Sequence, residues 1–245
     1  MVYFSTKSYS NIDKVVKKSL TMLDDVKNIG LATTIQHLDA LNIVRDILEE
    51  AGKKVFIGNS KGLEHPGQVL GCRYNSVTSI SNKVDAFLFI GGGKFHALGV
   101  ELASNKPTIV VDPYDQRVFS IDSEVKKILK QRWVSIEEAR KAKNFGILVS
   151  FKVGQKRLDL ALKIKQKIES MKKKAFLLLA REILPETILE FPTIDAYINT
   201  ACPRLSLDDA TKFTKPILTS NEFNVLSGEY SWETLLKRGL LEESI

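Results

Sequence analysis

The chain has 245 residues, 44% of them apolar and 27% charged, an ordinary globular composition that excludes a disordered, collagen-like or coiled-coil polypeptide and suits two domains with real cores. Lysine and arginine number 36 against 29 acidic residues, a net charge of +7, and the pI is near 9.2. The excess favours acidic partners by long-range attraction, but the lysines are scattered and only Lys172-Lys173-Lys174 forms a tight run, so a solvated basic surface accounts for it and direct nucleic-acid binding is not expected.

No apolar run approaches the roughly 18–20 residues needed to cross a bilayer, and Met1-Val-Tyr-Phe-Ser lacks the basic start and long apolar stretch of a secretion signal. A cytoplasmic protein without a membrane partner is the expectation. Two cysteines far apart in a reducing compartment do not predict a structural disulfide.

In chain order, periodicity predicts a helix from about Asn11 to Leu23, an apolar strand at Ile29 to Thr34, and a helix from about Gln36 to Glu50 stopped by Gly52. That second helix carries Leu41, Val44 and Leu48 on one face. Val55 to Gly58 reads as a strand, and PGQVLGC (66–72) as a short extra strand ending at Cys72. DAFLFIGGG (85–93) and KPTIVVDP (106–113) are strand-like, with breakers at their carboxyl ends. The stretch from Ser120 to Lys143, including Gln131-Arg132-Trp133, reads as a helical connection.

From Phe145 the same grammar returns. FGILVSF (145–151) is a strand, Gln155 to Met171 a helix with Ala161, Ile164, Ile168 and Met171 on one side, and AFLLLA (175–180), DAYINTA (195–201) and KPILTSNEF (215–223) are further strands. The tail from Ser231 to Ile245 resembles a closing amphipathic helix. Ile29-Gly30 matches Phe145-Gly146, Asp85-Ala86 matches Asp195-Ala196, and Lys106-Pro107 matches Lys215-Pro216, at nearly constant spacing. This is a duplicated α/β unit. Apolar strands alternating with amphipathic helices predict two homologous doubly wound domains with small parallel sheets, one over 11–143 and one over 144–245, with 1–10 left over.

In such sheets chemistry gathers at the carboxyl ends of the strands. That rule selects Cys72, Cys202 and the run Gly91-Gly92-Gly93-Lys94-Phe95-His96. A buried cysteine is usually a small hydrophobe, but Gly71 allows close backbone approach and Pro203 pushes Cys202 out of helical geometry onto a turn. Thiolates from equivalent units meeting across an interface would suit an iron–sulfur cluster better than zinc, whose closely paired cysteines are missing.

Gly91 to Gly93 fit neither the dinucleotide fingerprint nor a Walker A loop. Their turn would hold a phosphate, carboxylate or ribose, or would simply need positive φ. His96 has the best address of the three histidines, against a structural hydrogen-bonding role. Ser150 to Gln155 form the first strand-to-helix turn of the second unit, where free amides and the helix dipole favour a carboxylate and Gln155 adds a side-chain amide. Arg204 can clamp the same carboxylate bidentately; a plain helix cap and a surface arginine are the alternatives. Hydrolase templates find no support.

TTIQH (33–37), PGQVLGC (66–72), DAFLFIGGGKFHALG (85–99), KPTIVVDP (106–113), FGILVSFKVGQKRL (145–158) and NTACPRLSLDD (199–209) together resemble the archaeal diphthamide synthases, 2-(3-amino-3-carboxypropyl)histidine synthases, in order and spacing over nearly the whole chain. The resemblance implies a three-domain architecture in which each α/β domain gives one cysteine to a central 4Fe-4S cluster, and homodimers in archaea. It also implies S-adenosylmethionine bound at the open iron and cleaved reductively to a 3-amino-3-carboxypropyl radical that adds to a histidine of translation elongation factor 2. Cys72 and Cys202 then correspond to the second and third cluster ligands. Ser150, Gln155 and Arg204 become candidates for holding the methionine part of the cofactor, with Gly91, Gly92, Gly93 and His96 as further cofactor-binding candidates.

Two departures follow from the same comparison. Residues 1–10 look like the remnant of a first domain whose body and cysteine are missing, so the expectation is a split, truncated or non-catalytic subunit that acts with a first-domain partner. Arg73 stands where an aspartate often follows the cysteine and adds positive charge beside the ligand. The alternative function is a non-catalytic scaffold that binds the elongation factor or a catalytic partner. A two-domain small-molecule binder would leave both cysteines unexplained.

Overall fold

The computed structural model describes residues 12–59, 65–152, 154–207 and 210–241. The expected remnant at 1–10, Asn11 at the start of the first helix, the end of the 199–209 motif and the end of the tail lie outside the described residues. The chain divides into two compact units, one of Met1–Lys126 with Lys237–Glu243 and one of Lys127–Leu236 with Ser244–Ile245.

Unit 1 contains, in order, α1 (Ile12–Ser19), β1 (Asn28–Thr33), α2 (Ala40–Glu50), β2 (Lys54–Ile57), α3 (Asn75–Thr78), β3 (Ala86–Ile90), α4 (Phe95–Ser104), β4 (Thr108–Asp112) and β5 (Arg117–Ser120). The sheet order is β2-β1-β3-β4-β5, parallel except for β5, which returns antiparallel to β4. Strands β3 and β4 are buried at every position, as sheets covered on both faces require. Alternate residues divide the faces: Ile29, Leu31, Leu88, Ile90, Ile109 and Val111 pack under Val15 and Val16 of α1 and Leu41, Val44 and Leu48 of α2. The opposite face, with Phe87 and Phe89, receives α3 and α4.

α5 (Asp122–Arg140) spans the division, which falls inside this helix rather than after residue 143, because Arg132 of α5 is tied into unit 2. Unit 2 continues with β6 (Asn144–Ser150), α6 (Leu158–Ser170), β7 (Lys174–Ala180), α7 (Pro185–Leu189), β8 (Ala196–Asn199), α8 (Pro203–Leu207), β9 (Ile217–Thr219), α9 (Ser220–Leu226) and α10 (Trp232–Arg238). Its sheet, β7-β6-β8-β9, is parallel throughout. From Lys237 the chain is back in unit 1, where Gly239 (φ 96°) lets Leu240 N donate to Leu102 O at 2.7 Å. An added Cβ on Gly239 would lie 2.6 Å from the Ala103 carbonyl carbon, so only glycine fits this approach.

The duplication is physical. Gly30 of β1 registers with Phe87, and Gly146 of β6 with Tyr197. A Cβ on Gly30 would come within 2.6 Å of Phe87 Cδ1, and one on Gly146 within 2.7 Å of Tyr197 Cδ1. Each central strand therefore keeps a bare backbone under an aromatic ring of its neighbour. At the opposite ends of the strands, Asp85 accepts from the backbone and side-chain amides of Asn28, and Asp195 accepts from the backbone amides of Lys143 and Asn144. These donors hold both carboxyls below the usual carboxylate range, the Asn28 and Asn144 backbone amides contributing most.

Four details depart from the sequence reading. PGQVLGC is not a strand: it makes one bridge, Thr33 with Gln68, and then turns on itself. KPILTSNEF stops being a strand at Thr219, whose side chain forms a capping box with Glu222 and opens α9. The helix of the second unit begins at Leu158, not Gln155. Helices α3, α4, α7 and α8 and strand β5 are absent from the sequence reading. α4 buries nearly all of its last eight residues, so it shows no amphipathic stripe, and β5 is a four-residue edge strand with half-exposed central residues.

Candidate functional site

Cys72 sits at the tip of a two-residue turn. Leu70 N donates to Arg73 O at 3.1 Å and Arg73 N to Leu70 O at 3.3 Å, leaving Gly71 and Cys72 as the loop. Gly71 makes room for Phe95, since a Cβ there would lie 3.1 Å from Phe95 Cε1. The segment leading in is anchored by Val69 N to Thr33 O at 2.8 Å, so the turn is held at the carboxyl end of β1. Cys72 is exposed, Cys202 is half-buried, and neither is in a disulfide.

Cys202 lies between β8 and α8, immediately before Pro203. Asn199, 3% exposed, fixes this turn: its Nδ2 donates to Cys202 O at 2.7 Å and to Ser206 Oγ at 3.1 Å, while its Oδ1 accepts from Ala201 N at 2.9 Å. The two cysteines are not equivalent in the duplication. Cys72 belongs to the β2-to-β3 connection and Cys202 to the β8-to-α8 connection. Counted on from the register partners Phe87 and Tyr197, the residue of unit 1 at the place of Cys202 is Gly92.

Cys202 opens into a cavity of about 250 Å³ lined also by Ser150, Lys152, Gln155, Arg181, Glu182, Ala201 and Leu205 among others. The structure thus brings Ser150, Gln155 and Cys202 together. Ser150 is 2% exposed; its Oγ accepts from Lys152 N at 3.1 Å and donates to Arg181 O at 3.5 Å, so it shapes the wall more than it offers a hydroxyl. Because α6 starts three residues after Gln155, the helix dipole does not bear on Gln155; its side chain does. Arg204 is not part of the cavity lining and is 7% exposed.

Two cations of the cavity escaped the sequence reading. Lys152 pairs with Glu182 at 3.2 Å. Arg181 directly follows β7, a position the strand-end rule selects, and is among the residues that line the cavity. A half-buried thiol, a carboxamide and a guanidinium around one cavity provide a soft metal ligand next to groups that hold a carboxylate.

Two of the three amides of the glycine run in unit 1 are taken by the protein itself. Gly91 N donates to Val111 O at 3.0 Å and Gly93 N to Asp112 Oδ2 at 3.3 Å. Asp112, 3% exposed, also accepts from Tyr114 N at 2.9 Å and Asp115 N at 3.2 Å through Oδ1. The run carries positive φ at Gly91 and Gly93, and its amides pin the turn between β4 and β5. His96 stacks on Phe89 with centroids 6.2 Å apart and meets Phe95 edge-on at 5.0 Å. His37 is 4% exposed, meets Tyr114 edge-on, and has its pKa lowered by burial against the opposing pull of Asp112.

No group of three or more His, Cys, Asp and Glu side chains that could hold a metal ion exists among the described residues. None of their helices is long and apolar enough to cross a membrane.

Comparison with known proteins decides the family. The model of the diphthamide synthesis protein family matches residues 1–236. The chain belongs to the diphthamide synthesis protein family.

Within this family, 2-(3-amino-3-carboxypropyl)histidine synthase of Pyrococcus horikoshii is 36% identical over 230 residues, covering 91% of this chain and 66% of that protein. Subunit 1 of the Schizosaccharomyces pombe synthase is 32% identical, covering 91% of this chain and 52% of its own length. The crystal structure of Dph2 from Pyrococcus horikoshii with a 4Fe-4S cluster superimposes with a TM-score of 0.81 at 32% identity, covering 92% of this chain and 66% of that one. This diphthamide synthesis family chain therefore spans between half and two thirds of the length of these relatives.

Proposed function

We propose that the chain forms part of a 2-(3-amino-3-carboxypropyl)histidine synthase, transferring the 3-amino-3-carboxypropyl group of S-adenosylmethionine to a histidine of translation elongation factor 2, the first step of diphthamide biosynthesis. The observation that carries this reading is the cavity in which Cys202 meets Gln155 and Arg181. It joins an iron-type donor to carboxylate-binding groups, as a donor with a methionine moiety requires.

Cys72, on its rigid exposed turn, and Cys202 would hold a 4Fe-4S cluster. That cluster, when bound, supplies the electron for reductive cleavage of the sulfonium. The sequence contains two cysteines, and a three-cysteine site needs a third thiolate, supplied by a further domain of the same polypeptide or of a partner. Arg181 and Gln155 would hold the carboxylate of the donor, with Arg181 giving the charge and Gln155 the direction. Arg204, two residues beyond Cys202, is buried and does not line this cavity, so Arg181 takes the carboxylate-clamping role that the sequence suggested for it. Gly91 to Gly93 and His96 would act by keeping the Cys72 side of unit 1 in shape. Acting on the elongation factor, the chain would work in the cytoplasm.

The count of two cysteines also favours a second reading, a scaffold subunit that presents the elongation factor to a catalytic partner. Co-expression with a domain carrying the third cysteine, followed by an assay for transfer of labelled aminocarboxypropyl group to elongation factor 2, tests the two. Transfer that is lost in Cys72→Ala and in Cys202→Ala supports catalysis by this chain. Transfer retained in both variants supports the scaffold.

A further inference from the structure

In unit 2 a buried arginine reaches the cysteine turn through a continuous set of hydrogen bonds. Arg132, on α5, is 1% exposed and Glu222, on α9, is fully buried. Arg132 Nε donates to Glu222 Oε1 at 2.7 Å and Nη2 to Glu222 Oε2 at 2.6 Å, a bidentate pair. The remaining donors are not spent on charge. Nη2 also reaches Ile217 O at 2.7 Å, and Nη1 reaches Ser206 O at 2.7 Å. Ser206 Oγ in turn accepts from Asn199, whose same amide nitrogen holds Cys202 O. Glu222 is meanwhile fixed by the capping box with Thr219.

We infer that Arg132 and Asn199 are positioning residues for Cys202: the guanidinium locks α8 through the Ser206 carbonyl, and Asn199 transmits that lock to the cysteine backbone. The geometry is specific to these side chains. Arg132 makes four bonds, two to the Glu222 carboxylate and two to carbonyls, more than the three donors of a lysine can supply. Only a carboxamide can accept from Ala201 while donating to Cys202. A merely structural ion pair would have no need to end on the turn that carries the thiol. The inference rests on the proposed role of Cys202 for its importance to activity, but not for its test.

The test is the alkylation rate of each thiol by iodoacetamide, resolved by peptide mass spectrometry on the full chain without iron, in Arg132→Lys, Asn199→Asp and Ser206→Ala. Cys72, in unit 1, is the internal control. Tyr197→Phe is the stability control, because it removes a buried bond to Ile188 O in unit 2 that is not among the hydrogen bonds joining Arg132, Ser206, Asn199 and Cys202. The expected result is a rise of about tenfold in the Cys202 rate in Arg132→Lys and Asn199→Asp, the change in local opening that loss of one buried hydrogen bond produces. A smaller rise is expected in Ser206→Ala, with Cys72 unchanged and Tyr197→Phe without effect on Cys202. An unchanged Cys202 rate in Asn199→Asp, or an equal rise in Tyr197→Phe, overturns the inference. If Arg132→Lys does not fold, Asn199→Asp and Ser206→Ala decide it. Iron and sulfide counts after reconstitution of Cys202→Ala test the ligand role separately.

Discussion

Leu70 and Arg73 exchange two backbone hydrogen bonds across Gly71 and Cys72, which puts a cysteine at the tip of a closed turn instead of at the end of a strand. A thiol so placed is displayed with little backbone freedom to lose when it takes a ligand. Leu70→Pro removes the donor to Arg73 O. It is expected to lower iron bound per chain several-fold while costing unit 1 only about 1 kcal/mol, the net value of one hydrogen bond. Iron content and a thermal unfolding curve measure both, and undiminished iron binding would count against the turn as a ligand mount.

The bare glycines under Phe87 and Tyr197 make a second expectation. Gly30→Ala and Gly146→Ala overpack the two sheets, each by about 1–3 kcal/mol. Denaturant melts should show the first acting on unit 1 and the second on unit 2. Combining Gly30→Ala with Phe87→Leu should cost less than the two changes added separately, by about 1 kcal/mol, because the two residues are in contact. Simple additivity would deny that the ring dictates the glycine.

Glu101 gives unit 1 a pH dependence. Its carboxyl, 7% exposed, has its pKa pushed up to about 7, desolvation outweighing the Thr108 amide that donates to it at 2.8 Å. A native pKa above the ordinary 4.5 means that the folded state binds the proton more tightly, so the contribution is full below pH 4.5 and lost as pH rises through 7. The span is on the order of 3 kcal/mol. Glu101→Gln should flatten this part of the stability profile of unit 1. His37, with its lowered pKa, titrates in the opposite sense in both proteins and cancels in the difference. Parallel profiles from pH 4.5 to 7 would contradict the assignment.

Arg181 tests the cavity. Arg181→Gln keeps hydrogen-bonding capacity but removes the charge that the proposed donor carboxylate meets, and it should raise KM for the sulfonium donor by about tenfold or more with a smaller effect on kcat. Initial rates of group transfer in the completed enzyme measure it. An unchanged KM would move the carboxylate elsewhere.

Much of this was legible in the sequence, for reasons that can be named. Apolar strands such as DAFLFI and FGILVS announce covered parallel sheets, and the repeated Gly30/Gly146 and Asp85/Asp195 pairs announce duplication, because each answers a local packing or capping demand that both units share. Cys202, Ser150 and Gln155 were found together because strand ends converge in this topology. What was hidden depends on tertiary approach. Asp112 fills the glycine turn from a different strand, so the run looks like an open anion site until the structure is seen. Arg132 reads as an ordinary residue of a basic helix, and its partner Glu222 is 90 positions away. Helix α4 lacks a polar face, and the capping signal Thr219 to Glu222 was masked by the strand before it.

We propose Cys72 and Cys202 each as a ligand to an iron–sulfur cluster. Anaerobic reconstitution of the chain together with the domain that supplies the third cysteine, followed by EPR of the dithionite-reduced protein, measures this directly. A reducible four-iron signal in the unsubstituted protein, lost or converted to a lower-nuclearity signal in both Cys72→Ala and Cys202→Ala, is the expected result. An unaltered four-iron signal in either variant would contradict it.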